Sequence, residues 1–134
     1  MRRYVISGEH ITDVPSLCRA VERAVGGAEG SWGTGLQCFD DRLFGGYGME
    51  HPCELIWERS DISRRALDAQ ALAAWAERLL AVRAYLDDSG REWLEQARAD
   101  GQAGSRALFD EIVEMIQSVE ERSGGVCSLR LELA

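Results

Sequence analysis

The sequence predicts an α/β domain built on a small three-stranded parallel sheet covered by helices. Short apolar runs at residues 4–6 and 53–57 and an alternating run at 127–133 have the length of strands. Between them lie stretches with helical periodicity, so crossovers and not hairpins must join the strands, and parallel pairing follows. With 134 residues, 46% hydrophobic and 28% charged, and only 2 prolines, the chain has the balance of one ordered globular domain spanning 1–134.

The first run, closed by Ser7 and Gly8, reads as a strand leading into a turn. Asp13 is placed to cap a helix with Pro15 in its first turn. Val14, Leu17, Val21 and Val25 repeat on one face before Gly26 and Gly27 end it. Residues 28–35 are glycine-rich and read as a loop carrying Trp32. Thr34 is the expected cap of a second, short helix. Its apolar stripe is Leu36, Phe39 and Leu43, and its outer side carries Gln37, Asp40 and Asp41, with Gly45 and Gly46 as the stop.

The run Cys53-Glu54-Leu55-Ile56-Trp57 reads as a central strand with one polar position. An alanine-rich helix is expected over residues 62–86, broken at Asp68, with Leu72, Trp75, Leu79, Val82 and Leu86 on a core face. Ser89 and Glu92 match a capping box for a helix carrying Trp93, Leu94 and Ala97, closed by Gly101. Residues 101–104 then form the expected hinge. A further helix starts at Ser105, with Leu108, Ile112, Met115 and Val119 on its face, and stops at Gly124 and Gly125. Cys127, Leu129, Leu131 and Leu133 alternate with polar residues, as in a strand with one better-buried face.

Charge and composition narrow the function. There are 23 acidic and 15 basic residues, a formal net charge of −8 that repels phosphate backbones and attracts basic protein surfaces, so direct nucleic-acid binding is not expected. No apolar run reaches signal-peptide or membrane-spanning length, which makes a cytoplasmic location the expectation. The 4 cysteines fall in separate elements with no Cys-x-x-Cys pair, so free thiols are expected in place of a disulfide framework or zinc knuckle. His10 and His51 lack a second ligand at helical spacing, and neither a metal nor a cofactor is expected. Asp40 and Asp41 point about 100° apart on a helix and cannot converge on one bond, which argues against acid/base catalysis. No phosphate-cradling loop or nucleophile elbow is present, so an enzyme is not expected.

The block Trp32-Gly33-Thr34-Gly35-Leu36-Gln37-Cys38-Phe39-Asp40-Asp41-Arg42-Leu43, followed by Gly45 and Gly46, resembles the acidic-helix motif of the barstar family of intracellular ribonuclease inhibitors. Val5-Ile6-Ser7-Gly8-Glu9-His10-Ile11, residues 17–25, Leu55, Trp57 and residues 125–133 also line up with that family. The resemblance covers residues 2–68 and 105–134, leaving 69–104 as an inserted or extended helical pair. It implies a protein that blocks the basic cleft of a guanyl-type ribonuclease of the secreted kind, for self-protection or as immunity against a rival's toxin. Asp41 takes the place of the family's central inhibitory aspartate, and Glu121 or Glu120 that of its distal acid. Gln37 stands where a second helix aspartate is usual, Gly35 replaces an asparagine, and Ser31 lies where an aromatic contact is common. These departures bear on which protein is bound. The alternative is a module of the same type that binds another basic protein.

The expected partner-binding residues are therefore Asp41, Asp40, Gln37, Trp32, Thr34, Gly35, Phe44, Tyr47, Glu121 and Glu120. Several have two readings at this level. Asp40 is either a contact or plain helix surface, and so are Glu120 and Glu121. Trp32 is either a contact aromatic or a loop anchor, and Tyr47 either rims the interface or packs under the loop.

Overall fold

The computed structural model describes residues 1–82 and 86–134. It is an α/β structure in which β1 (Arg2–Ser7), β2 (Cys53–Glu58) and β3 (Leu129–Leu133) form one sheet in the order β1-β2-β3, with both pairs parallel. Seven α-helices lie among the described residues. The chain divides into two compact units, one of Met1–Ser63 with Ile112–Ala134 and one of Arg64–Glu111. No described helix is long and apolar enough to cross a membrane.

In the first unit β2 is the central strand. Cys53, Leu55, Ile56 and Trp57 are all buried, as expected of a strand covered on both faces. Trp57 donates its indole N–H to Ser63 Oγ at 3.1 Å, and the Ser63 hydroxyl donates in turn to the Gly8 carbonyl at 3.1 Å. Gly8 opens a 3-10 turn after β1, and a β-carbon there would stand 2.0 Å from the Arg59 carbonyl oxygen, so no larger residue fits this crossing. Helix α1 (Val14–Val25) follows, with Asp13 and Ser16 forming a reciprocal capping box and Gly26 closing it in the left-handed conformation.

Helix α2 (Leu36–Arg42) starts one residue later than a Thr34 cap requires. Gly35 occupies the cap position and offers no side-chain acceptor. Helices α6 (Leu108–Gln117) and α7 (Val119–Arg122) replace the single helix expected from Ser105, because the chain breaks at Ser118, whose hydroxyl turns back to the Met115 carbonyl at 3.1 Å. Strand β3 begins at Leu129, and its alternation fades outward: Cys127 and Leu129 are buried while Leu133 is exposed.

The expected break at Asp68 separates α3 (Ser60–Ala66), whose last three residues open the second unit, from α4 (Ala69–Ala81), which Asp68 caps through the Ala71 N–H at 2.8 Å. Helix α4 stops at Ala81. Its expected run through 83–85 lies outside the described residues. Helix α5 (Asp88–Gln102) is capped by Asp87, not Ser89, through the Gly90 N–H at 2.7 Å, because a full carboxylate charge at the start of a helix also complements its dipole. Leu72, Ala76 and Leu80 of α4 and Leu94, Ala97 and Gly101 of α5 are buried.

Two expectations for this unit are corrected. Leu79 at 40% and Val82 at 64% exposure lie off the core face expected of them, and Trp93 meets Trp75 edge-on at 6.0 Å. Gly101 is no hinge. It lies inside α5 where a β-carbon would approach the Ala69 carbonyl oxygen at 2.6 Å and the Ala73 nitrogen at 2.7 Å, so its missing side chain lets the two helices close. Residues 104–107 make the actual turn, with the Leu108 N–H bonded to the Asp68 carbonyl at 3.1 Å.

Candidate functional site

The loop before α2 is moulded onto α1 from inside. Trp32 is fully buried, its indole N–H donates to the Tyr47 carbonyl at 3.0 Å, and its ring lies tilted against Phe39 at 5.8 Å between centroids. Its backbone N–H donates to the Glu22 carboxylate at 3.0 Å. Glu22 is itself buried, and the Trp32 N–H, with further help from the Gly30 and Ser31 N–H groups, holds its carboxyl below the usual range. Trp32 is thus the loop anchor, and its side chain is withdrawn from any partner.

On α2 the apolar stripe behaves as its spacing predicts: Leu36, Phe39 and Leu43 are buried. Gln37 and Asp41 are exposed on the opposite side, with Thr34 and Gly35 exposed just before the helix. Among the described residues the Asp41 carboxylate has neither an ion pair nor a hydrogen bond. Asp40 is different, because it faces Arg122 of α7 in a two-pronged pair at 2.9 and 2.6 Å. Adjacent positions on the helix have been given separate tasks.

The end of α2 is tied down in three places. His51 approaches the Leu43 carbonyl through Nε2 at 2.8 Å and the Ser128 carbonyl through Nδ1 at 3.1 Å. The Cys127 thiol donates to the Phe44 carbonyl at 3.4 Å. Arg42 donates to the Ser31 carbonyl at 3.1 Å and lies over the Tyr47 ring at 3.8 Å, so Tyr47 is both exposed and held, with its carbonyl serving Trp32. Phe44 is half-buried beneath Arg122, whose guanidinium carbon lies 5.1 Å from the ring centre.

Glu120 and Glu121 stand exposed on α7, where their backbone carbonyls close the turn to Gly125 and Gly124 at 2.9 and 3.1 Å. The Arg122–Asp40 pair brings α7 to α2, so the acids named on both helices belong to one region of the first unit. The Asp40 carboxylate raises the Arg122 pKa above its ordinary value, since removing the proton would leave the acid unpaired.

The sequence reading missed Arg122, Arg42, Glu22 and His51. Arg122 carried one signal, a basic residue directly after two acids. Glu22 falls beside the apolar face of α1, four residues after Cys18, and that spacing was its one signal. Chemically, the region offers a free carboxylate on a helix anchored to the core, flanked by an amide and two further acids, and suits capture of a cationic group. No protein-family model matches the chain, and no curated protein matches it.

Proposed function

We propose that this chain is a cytoplasmic protein inhibitor of a guanyl-type ribonuclease and that it acts by inserting Asp41 of the acidic helix into the enzyme's basic cleft. The observation that carries this reading is the Asp41 carboxylate itself. It is exposed and unpaired among the described residues, on a helix whose other side is buried. A phosphate-binding cleft presents converging cations, and a preformed carboxylate enters it with little loss of conformational freedom. The role requires no catalysis by the inhibitor. The net charge of −8 supports it by steering a basic partner inward from a distance.

Two features favour a second reading, in which a module of this type binds a different basic protein. Gln37 supplies no charge, and Asp40 is already paired with Arg122, so α2 offers one free carboxylate and not several. An RNA-cleavage assay decides between the two. Stoichiometric suppression of a guanyl-type ribonuclease by the purified chain is the expected result. Full cleavage at a large excess of the chain contradicts inhibition and leaves capture of other basic proteins as the reading to pursue.

A further inference from the structure

Helix α2 is seven residues long and lacks a side-chain cap at its start. A helix this short has little stability of its own, so its presentation must be enforced from outside. Its acids also sit in the last turn, where the helix dipole and the adjacent like charge both disfavour them. Arg122 answers both problems. Its guanidinium pairs with both oxygens of Asp40 and donates to the Met115 carbonyl at 2.9 Å and to Ser118 Oγ at 2.8 Å, so one planar group joins α2 to the end of α6. The same group lies over Phe44, just past α2.

We propose that Arg122 is the positioning residue of the acidic surface: it neutralises Asp40, fixes α2 against the α6–α7 corner, and leaves Asp41 as the carboxylate on this helix that a basic partner meets. The fork geometry matters, because a lysine at this position carries the charge but cannot span two carboxylate oxygens while also holding the Met115 carbonyl. The partner's contact opposite α2 is accordingly one cation pocket aligned with Asp41, with Asp40 turned away from it. The positioning role stands on the geometry of the free protein. Its consequence for a partner rests on the ribonuclease reading above.

Hydrogen exchange of the free protein tests the positioning role on wild type, Arg122→Gln, Asp40→Asn and the double variant. Each single change should speed exchange of the α2 amides by about tenfold and leave those of β2 within about twofold. The double variant should be no faster than the faster single, since both break one interaction. Exchange of α2 within about twofold of wild type in Arg122→Gln overturns the proposal, as does a double effect equal to the product of the singles. If Arg122→Gln does not fold, the nearly isosteric Asp40→Asn decides the same question alone.

Binding to a guanyl-type ribonuclease then supplies a readout that mere structural support does not move. Arg122→Gln and Asp40→Asn should lose affinity by the same factor, whereas Asp41→Asn should lose it with α2 exchange unchanged. A much larger loss for Asp40→Asn than for Arg122→Gln makes Asp40 a contact and overturns its neutralised role. Failure of the wild-type chain to bind overturns the ribonuclease reading, and the exchange result still decides the positioning role.

Discussion

Glu22 accepts the Trp32 N–H from a buried position on α1, so protonating it removes an acceptor on which the loop before α2 depends. Its folded-state pKa is lowered from an ordinary value of 4.5. Its stabilising contribution is therefore complete above that value and is lost as pH falls through the lower folded one. Denaturant unfolding of wild type and Glu22→Gln should show a constant difference between pH 7 and about 5 that shrinks under more acid conditions. A difference that persists undiminished to about pH 2 contradicts the assignment. Burial has the opposite effect on two thiols, pushing Cys18 and Cys53 up to about 11. Half-buried Cys38 should alkylate first in the native protein at pH 8, with Cys18 and Cys53 lagging, while the unfolded chain titrates all 4 thiols. Peptide mapping after timed alkylation checks that order. At this scale the sequence spoke mainly through periodicity: it separated Leu36, Phe39 and Leu43 from Asp41, but the Trp32 burial and the Asp40–Arg122 pair depend on partners remote in the chain that no local pattern names.

Helix placement was legible wherever an apolar repeat and a strong terminator coincided. Helix α1 has Asp13 before it and Gly26 after it, and both act as their chemistry dictates. The reading slipped where two signals competed. Ser89 offered a capping box, yet Asp87 two residues earlier takes the role with a charged acceptor. Gly101 offered a stop, yet its value is steric. A helix-interior glycine normally gains about 1 kcal/mol on replacement by alanine. Here the added methyl meets backbone atoms at 2.6 and 2.7 Å, and overpacking of that kind costs about 1–3 kcal/mol, so the clash outweighs the propensity. Gly101→Ala should lower stability in a denaturant titration. A stabilised variant would show that α4 and α5 can part without cost.

Across the whole molecule, the parallel pairing followed from the long crossovers between the strands, and the central place of β2 from its nearly unbroken apolar run. The exposed faces of α4 and α5 did not follow, because Leu79 and Val82 share the spacing of core residues and only the number of layers actually packed decides which are covered. The acidic surface was visible as a motif, while its division into one neutralised and one free carboxylate was not. Because of that division, binding should depend on Asp41 far more than on exposed acids elsewhere, such as Asp88 at the start of α5. Calorimetric titration of a guanyl-type ribonuclease with wild type, Asp41→Ala and Asp88→Ala measures this directly. Asp41→Ala should lose more than about 2 kcal/mol of binding free energy and Asp88→Ala almost none, with both variants as stable as wild type. Equal affinities for the two variants would contradict that expectation.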